Sequence, residues 1–418
     1  MKKILGVVIV VVVILIGLLG YKFAYKASPR DFITKDTKLI YANEGLATKD
    51  FKQLSQFIED EAKKKEFEEN LKKIKYVSKL YVFSDRELYQ INDKNVVIVV
   101  DSGYAYPFYM TQISKYFDPF KDGIFVMKKN IEEKYSNQIN DVYMYPYRGL
   151  FILSMKPKNI KEFINKKNAY LYDKEIEGYI DDHRDNLLGV LLYNNSDETF
   201  YGIQYLTITG TVNKDKLELQ QRFVLDNKAA NKYKSTLENR ELAKYIENND
   251  VYLSPDDFSK MDNLIFNPYV IGQGFDKGSI LRLWRGIFNI DLTEMLREID
   301  GEAIIRNTQY GVSGIIKMKK DHPETDSFLE LLKAQSGLLN LGKELNFKDN
   351  MLIIGEDTFK EQAKMYNIPK GTFLFGDMDI APILQLPDLR VKILGKGNEI
   401  KVDVEMSAVT IKEIERRY

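Results

Sequence analysis

The sequence predicts an α+β fold in which an N-terminal transmembrane helix precedes two similar domains with antiparallel sheets and packing helices. Three observations predict it: an uninterrupted apolar run at the N-terminus, strand-like segments that alternate with amphipathic helices, and a partial repeat of these segments in the second half of the chain. The predicted division is a membrane anchor over residues 1–27, a first domain over residues 28–227 and a second domain over residues 228–418.

The N-terminal run is long enough to cross a bilayer. Residues 4–20 are all Ile, Leu, Val or Gly, and Lys22 is the only charge in the next five residues. A helix of about 22 residues is ~33 Å long, which matches the hydrocarbon core of a membrane. A cleaved secretory signal is the alternative, but it has a shorter apolar region and a small-residue cleavage site, for which residues 25–27 are poor. A buried core strand is disfavoured because Lys2 and Lys3 precede the run.

The orientation of such an anchor depends on the basic residues at its two ends. Lys2, Lys3 and the α-amino group precede the apolar run, and Lys22, Lys26 and Arg30 follow it. The two ends therefore carry nearly equal positive charge, and the positive-inside rule does not decide the orientation. A segment with almost nothing before it usually acts as a signal-anchor that exports the rest of the chain. We therefore expect a single-pass protein of the inner (cytoplasmic) membrane with its body exported into the cell envelope.

Composition excludes several classes of function. The chain has 61 basic and 61 acidic residues, so it has no positive excess with which to bind nucleic acid. It has no Cys, which excludes disulfides, thiolate catalysis and the lipid-modified Cys of a lipoprotein. Charged residues at 29 % and hydrophobic residues at 44 % are typical of a folded globular body.

Periodicity places the predicted elements along the chain. Apolar residues at helical spacing predict helices, which we place over residues 48–75, 107–117, 158–166, 228–248, 279–289 and 325–341. Strict alternation of apolar and polar residues predicts two hairpins, over residues 205–225 and 390–406. In these hairpins we expect Leu217, Leu219, Phe223 and Ile400 to face a core.

Four pairs of segments recur in the same order in the two halves. "KLIYANEG" is similar to "DVYLSPDD", "NVVIVVDSG" to "GEAIIRNTQ", "GLFILS" to "NMLIIG", and "NKDKLELQQRFV" to "KGNEIKVDVEMS". The offset between partners shrinks from the first pair to the last. A duplicated domain with a few deletions predicts this arrangement.

An apolar N-terminus, a repeated body and the stretches "DLTEMLREIDGEA", "NMLIIGE" and "GTFLFGDMD" together carry a family resemblance. They resemble an uncharacterised bacterial family of N-terminally membrane-anchored envelope proteins, one of the domain-of-unknown-function families. The resemblance spans most of residues 28–410 and rests on apolar patterns. It implies a location in the cell envelope and transfers no functional residues.

Histidine and glycine motifs offer little catalytic chemistry. His183 in "DDHRD" and His322 in "KDHPE" lie in charged, turn-like stretches, which favours solvated side chains over a general base. Two His without Cys make a zinc site improbable. Gly272, Gly274 and Gly278 in "IGQGFDKG" miss the dinucleotide-binding fingerprint by one residue, so a glycine-rich turn is the better interpretation.

Carboxylates are the remaining candidates for chemistry. Asp377 and Asp379 in "FGDMD" would share one strand face, where they could hold Ca²⁺ or Mg²⁺ or act as an acid/base couple. We favour a polar strand end, because no loop of ligands follows. Asp181, Asp182 and Asp185 are interpreted as an exposed acidic turn. The sequence therefore assigns no catalytic, cofactor-binding or metal-binding residue.

The stretch "DSGYAYPFYMTQISKYFDPF" at residues 101–120 is the most unusual surface candidate. Its aromatic residues gather around Pro107 and are Tyr104, Tyr106, Phe108, Tyr109, Tyr116 and Phe117. Aromatic residues are enriched in protein contacts, since they combine apolar area with, in Tyr, a hydroxyl. The pattern fits a core with its rim, and the alternative is a surface for a partner.

Three functions are compatible with these observations. The first is a membrane-tethered envelope protein that acts as a non-enzymatic binding or scaffold module for an envelope protein or glycan. The second is an accessory to secretion or envelope assembly that holds an apolar client. The third is a carboxylate-dependent envelope hydrolase. A flat aromatic surface would favour the first, a continuous apolar groove the second, and buried acids in a cleft the third.

Overall fold

The computed structural model describes two compact units. The first unit comprises residues 1–195 and 208–214, and the second comprises residues 196–207 and 215–418. The described residues are 26–44, 53–73, 77–86, 90–129, 141–166, 174–183, 186, 188–193, 202–261, 282, 285–286, 291–308, 311–320, 330, 345–355, 359–362 and 366–417.

An antiparallel sheet forms the centre of the first unit. In order of hydrogen bonding its strands are β4-β5-β6-β7-β3-β2-β1-β8. The strands are β1 (Leu39–Asn43), β2 (Lys79–Ser84), β3 (Val97–Asp101), β4 (Phe117–Lys121), β5 (Ile124–Met127), β6 (Tyr143–Tyr147), β7 (Leu150–Ser154) and β8 (Leu188–Tyr193). The helices are α1 (Glu61–Lys73), α2 (Tyr106–Tyr116), α3 (Pro157–Asn165) and α4 (Lys174–His183).

Alternation along the strands builds the core of the first unit. In β3 and β7 every second residue is buried, as expected for strands with one face on a core. Helix α3, which begins with Pro157 at its first turn, lays Ile160 and Phe163 on the sheet. The ring of Phe163 stacks on Phe32, with centroids 4.6 Å apart and planes 13° from parallel. The chain before β1 is thereby fixed to the same core.

A longer sheet forms the centre of the second unit. Its strands are ordered β14-β15-β13-β12-β11-β16-β17-β18-β10-β9. They are β9 (Ile203–Asn213), which continues into the first unit, β10 (Lys216–Leu225), β11 (Asp250–Leu253), β12 (Ile299–Thr308), β13 (Gly311–Met318), β14 (Leu345–Lys348), β15 (Met351–Ile354), β16 (Thr372–Asp379), β17 (Arg390–Lys396) and β18 (Glu399–Ser407). The helices are α5 (Asn227–Tyr233), α6 (Leu292–Arg297), α7 (Ala381–Leu384) and α8 (Ala408–Arg417).

Both faces of this second sheet carry a hydrophobic core. On one face Tyr233 of α5 and Leu296 of α6 pack with Phe258 and Phe373. On the other face Leu242 and Ile246 pack with the strand residues Tyr252 and Ile304 and with Phe359, which lies outside the strands. Neighbouring residues of one strand, such as Ala303 and Ile304, therefore belong to opposite cores.

A close approach between β16 and β17 depends on one glycine. The register of this strand pair shifts between Thr372 and Leu374, and the shift turns the Phe373 ring onto Gly395. A Cβ atom on Gly395 would lie 2.7 Å from the Phe373 ring, closer than any real carbon contact. Only glycine therefore fits this position without movement of its neighbours.

Strands β10 and β18, which are distant in sequence, join the two predicted hairpins in one sheet. Nine residues of β10 pair with β18, from Lys216 with Ser407 to Val224 with Glu399. Polar side chains bond across the pair, as Gln220 does with Asp403 at 2.7 Å. The predicted hairpins over residues 205–225 and 390–406 are confirmed, although Leu217, Leu219 and Phe223 are only half-buried.

Six strands follow the same order in the two units. The order β6-β7-β3-β2-β1-β8 of the first unit is matched by β14-β15-β13-β12-β11-β16 of the second. Two predicted segment pairs fall on equivalent strands, β1 with β11 and β7 with β15. The match of residues 95–103 with residues 301–309 is wrong by one strand, because it equates β3 with β12, which occupies the place of β2.

The predicted α+β fold class is wrong for the described chain, because antiparallel strands dominate it and its helices are few and short. Of the described residues in the helix predicted over residues 48–75, Leu54–Phe57 form a 3₁₀ turn and Glu61–Lys73 form α1. The helix predicted over residues 228–248 ends at Tyr233, since Lys234 has extended backbone. Leu242 and Ile246 then reach the sheet from a 3₁₀ turn and the residue that ends it. The helices predicted over residues 279–289 and 325–341 lie almost wholly outside the described residues.

The predicted transmembrane helix is not an element of the described fold. Among the described helices, none combines the length and the apolar character that a membrane span requires. Residues 1–25 of the predicted anchor lie outside the described residues. The last two residues of the predicted anchor pack on the first unit. The Lys26 ammonium pairs with Asp101 at 2.8 Å, and buried Ala27 donates its N–H to the carbonyl of Arg148.

Candidate functional site

A buried carboxylate fixes the start of the aromatic segment in the first unit. Strand β3 ends at Asp101, which accepts a hydrogen bond from the Gly103 N–H at 2.7 Å and pairs with Lys26 at 2.8 Å. Gly103 has φ of +58°, a left-handed conformation that favours glycine. This turn directs the chain from the sheet into helix α2.

Two tyrosines anchor helix α2 to the sheet. The ring of Tyr106, which is 8 % exposed, lies 5.0 Å from the ring of Phe151 on β7. Tyr109 meets the same phenylalanine edge-on at 6.3 Å. Pro107 occupies the first turn of the helix, where its missing N–H costs no intrahelical bond. One side of α2 is thus held by aromatic packing.

Other aromatic side chains of this segment point into solvent. Tyr104 and Phe108 are each 61 % exposed, and Tyr116 and Phe120 are each 52 % exposed. These four residues, which we call the aromatic surface, make up four of the seven large hydrophobic side chains that are exposed in the described part of the chain. Exposed apolar side chains gathered in one segment are typical of an interaction site.

The strand that follows α2 forms an edge of its sheet. Among the described strands, β4 pairs only with β5. Its N–H groups are poor donors for a further strand: the Phe117 N–H is already bonded to the Ile113 carbonyl of α2, and Pro119 has none. A proline in an edge strand is a common protection against strand addition. A partner would therefore contact side chains at this edge.

Exposed lysines lie in the same segment of the chain as the aromatic surface. Lys115, Lys121 and Lys129 are exposed, and their side chains make no hydrogen bond or ion pair within the described residues. The remaining charges of α2, β4 and the hairpin are engaged: Lys128 lies 3.6 Å from Asp118. The Asp122 carboxylate bonds Lys161 at 2.5 Å, which holds the pKa of Asp122 below its usual range. Four lysines against two aspartates between residues 104 and 129 leave an excess of two positive charges.

The predicted aromatic cluster divides between core and surface. Tyr106 is buried, Tyr109 and Phe117 are half-buried, and Tyr104, Phe108 and Tyr116 are exposed. Both interpretations of the segment therefore apply, each to a different side of it. Phe120, which sequence reasoning did not single out, joins the exposed group and meets Tyr143 edge-on at 5.1 Å. Its position directly after Pro119 was the available signal in the sequence.

The aspartates Asp377 and Asp379 line a polar cavity of about 330 Å³ in the second unit. Arg390 binds both oxygens of Asp377, at 2.8 and 2.7 Å, which ties that carboxylate into an ion pair. Asp379 accepts the Ala381 N–H at 3.1 Å at the start of α7. The rest of the lining is Lys216, Asn248, Asp388, Leu389, Arg390 and Glu405. Within the described ranges no group of three or more His, Asp or Glu side chains could hold a metal ion.

The other predicted candidates are dispersed. His183 ends α4, with its Nδ1 atom 3.2 Å from the Asn186 amide and its ring 4.6 Å from that of Tyr179. Asp181 pairs with Arg30 at 2.7 Å, and Asp182 is exposed. The remaining candidates lie outside the described residues; they are Asp185, Gly272, Gly274, Gly278 and His322.

Sequence reasoning missed a polar network at the end of β1. The Glu44 carboxylate accepts hydrogen bonds from Tyr81 at 2.6 Å and from Lys79 at 2.7 Å, and Arg30 lies 3.4 Å away. Burial opposes the charge of Glu44, but these donors outweigh burial and lower its pKa. The members of this network come from three separate segments of the chain, so no local sequence motif predicts it. Each charge has a partner, which is typical of a structural network.

Comparisons with known proteins do not assign this chain to a family. No protein-family model matches the sequence, and no curated protein matches it. Solved structures titled as crystal forms of TP0453 are similar to about half of the chain. Form IV has 10 % identity and a TM-score of 0.31, and covers 49 % of this chain and 82 % of that one. Form III has 11 % identity and a TM-score of 0.32, and covers 48 % and 81 %.

Proposed function

We propose that this protein is a non-enzymatic binding module that uses the aromatic surface of its first unit to contact another protein. The observation that carries the proposal is the exposure of Tyr104, Phe108, Tyr116 and Phe120 on one short segment. Leaving apolar area in water forgoes about 25 cal/mol for each Å². A partner that covers these rings would recover that free energy.

The segment has the properties of a preorganised contact surface. Tyr106 and Tyr109 fix α2 through Phe151, and hydrogen bonds to Asp101 fix the turn before it. Rings held on a rigid element lose little conformational freedom on binding. Aromatic residues are also enriched among the side chains that contribute most to protein interfaces.

The other two predicted functions have less support. A carboxylate-dependent hydrolase needs an available pair of acids, whereas Arg390 occupies both oxygens of Asp377. An accessory that holds an apolar client needs a continuous groove. The exposed rings of the aromatic surface lie on a 3₁₀ turn, on helix α2 and on an edge strand, which suits a protruding contact better than an enclosed one.

Site-specific photo-cross-linking in the native cell tests the proposal. A photoreactive amino acid replaces Tyr116 in the full chain, and adducts are resolved by mass. We expect a discrete protein adduct whose yield falls roughly tenfold or more when Phe108→Ser and Phe120→Ser are added, because contact residues dominate interface free energy. The control adds Leu384→Ser and Val409→Ser, which remove exposed apolar side chains from the second unit.

The control should leave the adduct unchanged. An adduct that survives loss of Phe108 and Phe120, or that is lost equally in the control, contradicts the proposal. So does an adduct composed of lipid or glycan. Because all four side chains are exposed, the melting temperatures of the variants should match that of the parent, which separates loss of binding from loss of fold.

A further inference from the structure

The lysines around the aromatic surface point to the chemistry of the partner. Phe108 and Lys115 are seven residues apart on α2, so they lie on the same face of the helix. Lys121 directly follows Phe120 at the end of β4. Basic and aromatic side chains are therefore interleaved along this segment.

A third exposed lysine, Lys129, follows the hairpin formed by β4 and β5. The Lys128 N–H donates to the Tyr116 carbonyl at 3.0 Å, which extends the β4–β5 register by one pair. Lys129 is the next residue along the chain. Lys115, Lys121 and Lys129, which we call the lysine set, are exposed and form no ion pair within 4 Å in the described part of the chain, although Lys121 is close enough to Asp122 to contribute to its lowered pKa.

We infer that the partner presents an acidic surface whose carboxylates pair with the lysine set while its apolar groups cover the aromatic surface. This inference rests on the proposed function. The lysine set adds positive charge that no direct ion pair neutralises in the described residues, because the direct ion-pair partners of Asp118 and Asp122 are Lys128 and Lys161. Complementary charge raises the rate of encounter and selects against other partners.

Carboxylates fit this surface better than phosphates do. Arg is the side chain most used for planar, two-bond recognition of phosphate, and residues 104–129 contain no Arg. The whole chain has no net charge, so it lacks the positive field that binds nucleic acid without sequence specificity. Lysines beside exposed rings suit a protein with mixed acidic and apolar side chains.

Contact at this edge involves side chains and not an added strand. The Phe117 N–H is used by α2 and Pro119 has no N–H, so a peptide backbone would find too few donors on β4. Charge pairs between side chains are screened by salt, with a Debye length of about 8 Å at physiological ionic strength. Association should therefore weaken as salt is added.

A charge-reversal pair of variants tests the inference in the cross-linking assay. The first variant carries Lys115→Glu, Lys121→Glu and Lys129→Glu. The control carries Lys63→Glu, Lys65→Glu and Lys72→Glu on exposed positions of α1, so that both change the net charge equally. We expect adduct yield to fall tenfold or more in the first and to stay within twofold in the control.

The outcomes separate the inference from the proposed function. If reversing the lysine set has no effect while loss of Phe108 and Phe120 removes the adduct, the inference fails and the proposed function stands. If neither change affects the adduct, both fail. If both charge reversals reduce it equally, net charge alone is responsible and the inference fails.

A purified system identifies the class of ligand. The full chain in detergent is titrated with a random glutamate–tyrosine copolymer, with oligothymidylate and with phosphatidylglycerol vesicles. We expect the copolymer to bind, with affinity reduced tenfold or more by reversal of the lysine set and by 0.5 M salt, conditions under which surface charges are largely screened. Tighter, lysine-dependent binding of oligothymidylate or vesicles would overturn the inference.

Discussion

The guanidinium of Arg306 binds both oxygens of the Asp250 carboxylate, with the Nε–Oδ1 and Nη2–Oδ2 distances both at 2.7 Å. Both side chains are buried in the second unit, on neighbouring strands β12 and β11. Arg306 also donates to the Tyr245 carbonyl at 3.1 Å and lies 4.4 Å above the ring of Phe359. The pair thus connects the sheet to the segments that cover it.

Removal of one member of this pair should be more harmful than removal of both. Asp250→Ala leaves the buried charge of Arg306 with only the more exposed Glu247, 3.4 Å away, and should lower the free energy of unfolding by about 3 kcal/mol, the lower end of the range for a broken buried pair. Urea denaturation measures this change. The double variant Asp250→Leu with Arg306→Met should be more stable than Asp250→Ala. Equal stability of the two would show that the ion pair itself contributes little.

The close contact between Gly395 and Phe373 makes a second prediction. Gly395→Ala places a Cβ atom 2.7 Å from the Phe373 ring and should cost about 1–3 kcal/mol of stability through overpacking. Phe373→Leu in the same chain should restore part of that loss, because the shorter side chain leaves room. Thermal or urea unfolding of both variants provides the measurement. No recovery in the double variant would place the strain elsewhere.

The stability of the first unit should fall in alkaline solution. Burial raises the pKa of Tyr41 on β1 to about 12, while an unfolded tyrosine has a pKa of about 10. Since the unfolded state loses this proton first, the stabilisation is complete below pH 10 and is lost as pH rises toward 12. Urea denaturation at a series of pH values measures this loss. Between pH 10 and pH 12 the free energy of unfolding should fall by about 1–2 kcal/mol more in the parent than in Tyr41→Phe, after allowance for partial exposure.

The control for this measurement is Tyr104→Phe, which removes the hydroxyl of an exposed ring. Its pH dependence should follow that of the parent. If Tyr41→Phe and the parent lose stability with the same slope, the buried hydroxyl does not account for alkaline unfolding.

The C-terminal helix α8 should depend on Asp388. Its carboxylate accepts the Ser407 hydroxyl at 2.6 Å and the Ser407 N–H at 3.1 Å, and also bonds Thr410. Burial opposes its charge, but these donors outweigh burial and lower the pKa of Asp388. Asp388→Ala should cost about 1.5–3 kcal/mol, the range for hydrogen bonds to a charged group.

Hydrogen exchange of the amides of residues 407–412 measures this effect directly, with exposed Asp215→Asn as the control. Because the pKa is lower in the folded state, the stabilisation is present above pH ~4 and is lost as pH falls below that value. The difference between parent and variant should therefore shrink in acid. A constant difference down to pH 2 would contradict a role for the ionised carboxylate.

Sequence periodicity correctly predicted those helices and strands that pack on a core through a single apolar face. The helices near residues 107–117 and 158–166 and the hairpin over residues 205–225 are confirmed, since their apolar positions repeat at the spacing of the element. It failed where tertiary contacts decide: Leu242 and Ile246 pack on the sheet without forming the predicted α-helix. Strand β4 shows no alternation of apolar and polar residues, and it forms a strand because it pairs with β5.

The candidate surface was partly visible in the sequence. The aromatic composition of residues 101–120 singled out the segment, but composition cannot say which rings face a core. Phe151, distant in sequence, decides that Tyr106 turns inward. The three unengaged lysines were likewise not apparent, because the partners of Lys128 and Asp122 are set by the hairpin and by α3.

The pairing of β10 with β18 has a consequence for how the protein is made. Gln220 and its partner Asp403 are 183 residues apart, so at ~5–20 residues per second a ribosome needs roughly 10–40 s to synthesise the second strand after the first. During that interval nascent β10 has an unpaired edge, which could template aggregation. Lys216, Gln220 and Arg222 place polar side chains along that strand, and charges on a transiently open edge discourage pairing between nascent chains.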